Sequence, residues 1–138
     1  MKLSLVQPNF RQGGSAFSGY WLPYSVGCVY SYSAQSPEFK DKLELNKVIF
    51  RREKIEWASD DMADDDIVLF SCYMWNWEYN KALAKLLKEK SPDVKIVFGG
   101  PQVTEFRNAE QIDQLPYVDT FIISEGELSV HQYLTDFE

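Results

Sequence analysis

Residues that could ligate a metal are scarce in this chain, which contains two cysteines, Cys28 and Cys72, and one histidine, His131. An iron–sulfur or zinc site built on Cys and His needs three or four suitably spaced ligands, and these three residues lie far apart in the sequence. We therefore predict no metal site and no iron–sulfur cluster. Two cysteines without a secretory signal pattern indicate free thiols and a cytoplasmic protein.

Basic residues and long apolar runs are also few. Lys and Arg number 14 against 21 Asp and Glu, so the net charge is −7. A nucleic-acid partner would require a basic surface, and a membrane span would require a run of roughly 20 apolar residues. We predict neither partner. A hydrophobic content of 45% in 138 residues is sufficient for one core, and we expect a single domain over residues 1–138.

Short apolar segments alternate with helical patterns along the chain. The predicted strands are residues 2–6, 47–51, 66–71, 94–98 and 118–123. The predicted helices are residues 23–35, 38–45, 53–62, 76–90, 106–115 and 126–137, and residues 7–22 are predicted to be a long loop. This alternation predicts an α/β fold: a doubly wound, flavodoxin-like Rossmann sheet of five parallel strands, order 2-1-3-4-5, with helices on both faces.

Small and polar residues follow the third and fourth predicted strands, where an open parallel sheet binds ligands. The pair Gly99-Gly100 allows either close approach of a ligand or a tight turn with positive φ, and the sequence leaves both interpretations open. The Ser71 hydroxyl either enters the crevice or bonds a neighbouring backbone group, and Cys72 is expected to be an inert small hydrophobic residue.

Two further groups of residues adjoin the predicted strand exits. In the segment Glu125-Gly126-Glu127, the carboxylates either accept hydrogen bonds from a ligand or stabilise the start of the last helix. Among the aromatic residues after the third strand, we expect Tyr73 nearest the ligand and core packing for the others, which are Trp75, Trp77 and Tyr79. We interpret the aspartates of residues 60–66 as a solvated turn, and His131 as a structural histidine.

Four segments in this order resemble the cobalamin-binding domain of radical S-adenosylmethionine (SAM) enzymes. They are LVQP after the first strand, FSCYMWNWEY after the third, IVFGGPQV at the fourth and SEGE after the fifth. The segment LPYSVG also resembles the start of that family's first helix. The resemblance covers nearly the whole chain, and it implies that the nucleotide tail of cobalamin lies beside the sheet with the corrin ring over the carboxyl ends of the strands.

The resemblance also implies which residues contact cobalamin. Residues near the tail or ring would be Ser71, Cys72 and Tyr73. Residues that make room for the tail would be Gly99, Gly100, Pro101, Gln102 and Val103. The far end of the tail would lie near Glu125, Gly126 and Glu127. The loop at Asn9 and Phe10 would approach the lower face of the ring.

The sequence departs from related patterns in three ways. It lacks the Asp-x-His-x-x-Gly motif after the first strand, so cobalamin would be held without a histidine ligand. Ser124 stands where the family usually has Gly. The chain also lacks the Cys-x-x-x-Cys-x-x-Cys motif, so a radical SAM domain, in cis or in trans, would carry out the methyl transfer or related radical chemistry. No residue of this chain is assigned a catalytic role.

Two other functions remain open. A domain of this fold that has lost its ligand could bind a protein partner through exposed aromatic residues. A flavodoxin-like electron carrier would hold flavin mononucleotide over residues 13–19, although a phosphate-binding loop normally joins its strand to a helix more tightly.

Overall fold

The computed structural model describes residues 1–12 and 19–138. The main sheet has five parallel strands, which are β1 (Lys2–Val6), β4 (Glu44–Ile49), β5 (Ile67–Ser71), β6 (Lys95–Gly99) and β7 (Thr120–Ile122). Their spatial order is β4-β1-β5-β6-β7. When these five strands alone are counted along the chain, this is the predicted order 2-1-3-4-5. The short strands β2 (Arg11–Gln12) and β3 (Gly19–Tyr20) pair antiparallel, within the segment predicted as a loop.

Helices cover both faces of the sheet, which confirms the doubly wound α/β fold. They are α1 (Tyr24–Ala34), α2 (Ile55–Asp61), α3 (Trp77–Lys90), α4 (Ala109–Ile112) and α5 (Gly126–Phe137). Helices α1 and α5 pack together, as do α2 and α3. Because side chains alternate along a strand, β5 sends Leu69 into the core beneath α1 and α5, and Val68 and Phe70 into the other core.

The helix α3 illustrates why the sequence forms these elements. Leu83 and Leu87 lie one turn apart and are fully buried against the sheet, as helical spacing predicts. Lys88 and Lys90 lie in the last turn, where a positive charge stabilises the helix dipole. Lys88 Nζ also contacts Asp119 Oδ2 at 2.8 Å, which ties the helix to the start of β7.

Three predicted elements differ from the structure by more than two residues at an end, and the other bounds agree within two residues. The second strand is Glu44–Ile49 rather than residues 47–51, because its pairing with β1 begins at Lys2 and Glu44. Residues 38–45 therefore do not form a helix, and a turn with Asp41 at φ 64 precedes the strand. The predicted helix 106–115 is reduced to Ala109–Ile112, which Asn108 caps by accepting from the Gln111 N–H.

The acidic segment before β5 is only partly solvated. Asp64 and Asp60 form exposed ion pairs with Lys2 and Lys90, at 2.7 Å and 2.6 Å. Asp65 is instead buried, and its burial raises the pKa of that carboxyl above the usual value. Among the described residues, no helix has the length and apolar character needed to cross a bilayer.

Candidate functional site

A cavity of about 250 Å³ lies at the carboxyl ends of β5, β6 and β7, between the sheet and helices α1 and α5. The strands contribute residues up to Ser71, Gly99 and Ile122. The buried lining residues are Val26, Leu69, Phe70, Ser71, Val97 and Val130. The cavity therefore has a largely aliphatic inner surface and occupies the position where doubly wound sheets bind ligands.

Ser71 places a hydroxyl in this lining. It lies two residues after Leu69 on β5, so both side chains face α1 and α5. The Ser71 side chain is 6% exposed, and within the described parts of the chain its hydroxyl has no hydrogen-bond partner. The neighbouring backbone bond that the sequence left open as its role is therefore not observed, and the hydroxyl remains available to a ligand.

Tyr73 links the end of β5 to α1. Its Oη and Ser25 Oγ share a hydrogen bond of 2.5 Å, and its ring stacks on Trp75 with centroids 4.5 Å apart and planes 10° apart. Tyr73 lines the cavity, and its position nearest the ligand stays a prediction. Trp75 precedes α3 rather than lying on a helix face, whereas Trp77 packs against Phe98 in the core.

Asn9 has a structural role at the end of β1. It is buried, its Nδ2 donates to the carbonyl oxygens of Trp21 and Leu22 at 3.1 Å, and its Oδ1 accepts from Trp75 Nε1 at 3.1 Å. Phe10 is 50% exposed and packs edge-on against Trp75. Neither residue lines the cavity.

Exposed apolar side chains surround the loops beyond the strand ends. We call them the strand-exit surface, and they are Phe10, Trp21, Leu22, Tyr24, Met74 and Trp75. The loop after β1, the start of α1 and the loop after β5 each contribute members, and the bonds of Asn9 hold these three segments together. Exposed apolar surface of this kind is typical of a binding face.

Asn76, which the sequence analysis did not single out, organises the exits of β1 and β5. It is fully buried, and its Nδ2 donates to Ser71 O at 3.0 Å and to Pro8 O at 3.2 Å. Its Oδ1 accepts from the Tyr73 N–H at 2.8 Å. The one available signal was an Asn directly before the first residue of a helix, a position that favours this residue type.

The Cys72 side chain lies on the opposite face of the sheet from the cavity, and its expected place near the tail or ring stays a prediction. It is buried in the core beneath α2 and α3, and this burial raises the pKa of its thiol to about 12. Its thiol is therefore protonated at neutral pH, as expected of an inert residue. The Cys72 backbone instead fixes the adjacent turn, donating to Gly99 O at 2.7 Å and accepting from the Gln102 N–H at 3.1 Å.

The two glycines at the end of β6, Gly99 and Gly100, differ in role. Gly100 has φ 97 and ψ 176, and a Cβ there would lie 2.7 Å from Cys72 O and 2.8 Å from Cys72 N. The tight-turn interpretation therefore applies to Gly100. Both glycines line the cavity, and a Cβ on Gly99 would lie an ordinary 3.6 Å from Ile122 O.

The three residues after Gly100 form a single 3-10 turn, Pro101–Val103. Val103 is fully buried in the core beneath α2 and α3, Pro101 is exposed, and Gln102 is half-buried. None of the three lines the cavity, because the chain turns away from it after Gly100, and their expected role in making room for the tail stays a prediction.

The loop after β7 brings two predicted residues to the cavity. Gly126 and Glu127 line it at the start of α5, whereas Glu125 is exposed. A Cβ on Gly126 would lie 3.0 Å from Val29 Cγ2, so Gly126 allows α5 to approach α1 closely. Ser124 has φ 75, a conformation that favours glycine and explains the usual residue at this position.

Helix α1 supplies cavity residues that the sequence analysis did not predict, including Ser25, Cys28 and Val29. The segment LPYSVG was the only signal for them. His131 lies elsewhere on α5, where its ring packs edge-on against Tyr32 and Phe39. The proposed flavin loop, except for Gly19, lies outside the described residues.

A doubly wound sheet with a mainly aliphatic cavity at its strand exits defines a small-molecule-binding α/β domain. The family model of the B12 binding domain matches residues 48–134, and the chain belongs to this family. The resemblance found in the sequence is thus confirmed.

Two methyltransferases are similar to most of this chain. The cobalamin-dependent radical SAM methyltransferase TokK of Streptomyces tokunonensis is 30% identical over 114 residues, which are 83% of this chain. The 2-(S-pantetheinyl)-carbapenam-3-carboxylate methyltransferase of Streptantibioticus cattleyicolor is 28% identical over 116 residues, which are 84% of this chain. In each case the match covers only 17% of the relative's length.

The crystal structure of the pilus assembly protein CpaE from Caulobacter crescentus has a similar fold. The TM-score is 0.58, and the match covers 99% of this chain and 98% of that one. The identity is 13%, so this similarity concerns the fold alone.

Proposed function

We propose that this chain is a cobalamin-binding module whose cavity receives the nucleotide tail, while the corrin ring lies over the strand exits. The observation that carries the proposal is the cavity between the sheet, α1 and α5. At about 250 Å³ it is smaller than the roughly 300–1,000 Å³ of pockets that enclose a whole ligand. It therefore suits one heterocyclic group of a larger cofactor, the rest of which would lie outside.

The lining residues fit an uncharged base better than a phosphate. Glu127 is the only charged residue in the described lining, and no Lys, Arg or His adjoins it there. Ser71 would donate a hydrogen bond to the base, and the absence of a side chain on Gly99 would leave room beside it. The strand-exit surface would cover one face of the ring. When bound, cobalamin supplies a cobalt centre that can carry a methyl group.

We further propose that no histidine of this chain ligates the cobalt. The loop after β1 carries Asn9 and Phe10. The Asn9 side chain already forms hydrogen bonds with the carbonyl oxygens of Trp21 and Leu22 and with Trp75 Nε1. The single histidine, His131, packs between Tyr32 and Phe39 and has Glu38 Oε2 3.9 Å from its Nε2. It is absent from the cavity lining.

The test is incubation of the chain with hydroxocobalamin, followed by gel filtration and an absorption spectrum, with flavin mononucleotide in parallel. We expect the corrin bands to elute with the protein. Ser71→Ala should weaken cobalamin binding about fivefold, because one hydrogen bond contributes about 1 kcal/mol. Ser31→Ala on the exposed side of α1 is the matched control. Retention of flavin instead would support the electron carrier, and retention of neither would support a ligand-free partner-binding domain.

The same preparation tests the coordination of the cobalt. After reduction to cob(II)alamin, the electron paramagnetic resonance spectrum should show no hyperfine splitting from a protein nitrogen. A splitting that disappears in His131→Ala would contradict the proposal.

We propose that a radical SAM domain, in cis or in trans, docks on the strand-exit surface and uses the bound cofactor for methyl transfer or related radical chemistry. The relatives' names and the 17% coverage support this arrangement. The exposed Met74 and Leu22, at 82% and 77%, give the surface an apolar character suited to a protein partner.

The chain alone should therefore not cleave S-adenosylmethionine. Purified chain loaded with cobalamin is assayed anaerobically with reductant, and 5′-deoxyadenosine and homocysteine are measured. We expect neither product above the level of a protein-free control. Turnover without a second protein would overturn the assignment of the chemistry to a separate domain.

A further inference from the structure

We propose that the cavity discriminates between cobamides by the base of their nucleotide tail, accepting a benzimidazole and disfavouring a purine. This inference rests on the proposed function, since it requires that the tail enters the cavity. It concerns which cobamide the chain selects, and its determinants are the aliphatic residues of the inner lining.

The buried part of the lining offers one polar side chain. Of its six residues, four are aliphatic: Val26, Leu69, Val97 and Val130. Phe70 directs its side chain to the opposite core, so it contributes mainly backbone. Ser71 is the sixth. A base inserted among these residues therefore meets aliphatic carbon on most sides, the sheet backbone at Phe70, which pairs with β1 and β6, and a single side-chain hydroxyl.

Two further hydroxyls of the lining are already paired. Ser25 Oγ and Tyr73 Oη share their 2.5 Å hydrogen bond across the cavity wall. Tyr24 and Ser124 are exposed and Glu127 is half-buried, which places these polar groups toward the opening. Tyr24 and Ser124 would contact the sugar and phosphate side of a tail rather than a base held among buried residues, and Glu127 would accept a hydrogen bond from a sugar hydroxyl.

An aliphatic lining with one buried hydroxyl suits dimethylbenzimidazole better than adenine. Dimethylbenzimidazole, once detached from cobalt, presents an apolar ring with one free nitrogen, and the Ser71 hydroxyl can donate to that nitrogen. Adenine adds an exocyclic amine and further ring nitrogens. In an aliphatic cavity these atoms would lose their water without gaining partners, and an unpaired buried polar group weakens binding substantially.

The experiment compares three dicyano corrinoids by titration: cobalamin, adeninylcobamide and cobinamide, which lacks the nucleotide tail. Excess cyanide detaches the base from cobalt in the first two, so differences in base–cobalt affinity do not contribute. We expect cobalamin to bind at least about tenfold more tightly than adeninylcobamide, a difference of about 1.4 kcal/mol. Cobinamide should bind more weakly than cobalamin.

The possible failures are distinguishable. Equal binding of cobalamin and adeninylcobamide, with weaker cobinamide, would overturn the discrimination and leave the tail in the cavity. Equal binding of all three would overturn insertion of the tail. Binding of none would overturn the proposed function itself.

A nearly isosteric substitution in the cavity tests whether the aliphatic lining causes the discrimination between the two bases. Val130→Thr adds a hydroxyl to a cavity residue that is 5% exposed, and it should reduce the preference for cobalamin by at least about threefold. Val48→Thr makes the same change on β4, outside the cavity, and should leave the preference unchanged. A preference that Val130→Thr leaves at the wild-type ratio would overturn the role of the aliphatic lining.

Discussion

Replacing Gly100 with alanine is expected to lower the free energy of unfolding by about 3 kcal/mol or more. Gly100 occupies a region of φ and ψ that is essentially restricted to glycine. The added Cβ would also lie 2.7–2.8 Å from backbone atoms of Cys72, which sit at the end of the central strand and cannot move aside as a flexible side chain could. Urea unfolding followed by circular dichroism measures the effect.

Gly99→Ala is the matched control for Gly100→Ala. Its Cβ would make ordinary contacts of 3.6 Å and 3.7 Å with Ile122, so we expect a loss of less than about 1 kcal/mol. Gly99 lines the cavity, so this variant should affect ligand affinity more than stability. Equal destabilisation by the two substitutions would contradict the structural requirement for glycine at position 100 alone.

Asn76→Ala is expected to destabilise the protein by about 3 kcal/mol, since a buried polar group left without a partner costs about 1–3 kcal/mol. The substitution removes both bonds to Ser71 O and Pro8 O and leaves the Tyr73 N–H without its acceptor. Because Asn76 joins the exits of β1 and β5, the loss should also lower cobalamin affinity. Thermal and urea unfolding measure the stability, and titration with dicyanocobalamin measures the affinity.

The control for Asn76 is Asn108→Ala. Asn108 caps the four-residue helix α4 by accepting from the Gln111 N–H at 3.0 Å, at an exposed position. Loss of such a cap costs about 1 kcal/mol, and α4 does not line the cavity. If both asparagine variants lose the same stability, Asn76 is not the organising residue of the strand exits.

The elements that the sequence predicted well have a strong local signal. The bounds of β1 and α5 agree with prediction, and α3 differs by one residue at its start, because apolar runs and helical spacing mark them clearly. The strand β4 was misplaced because all three residues at its start, Glu44, Leu45 and Asn46, are exposed, so only pairing with β1 extends the strand over them. Its first half therefore has no local pattern to recognise.

The sequence by itself determined the α/β class, the strand order and the strand exits that carry the cavity, since these follow from the alternation of segments and from the small residues after β5 and β6. Tertiary structure decided which residues face the cavity. Every residue of β5 is buried, so its pattern does not distinguish the face of Ser71 from that of Cys72. The face is set by the packing of α1 and α5, and the side-chain bonds of Asn76 join residues up to 68 apart in sequence. Such long-range contacts produce no periodic pattern in the sequence, so the sequence alone does not predict them.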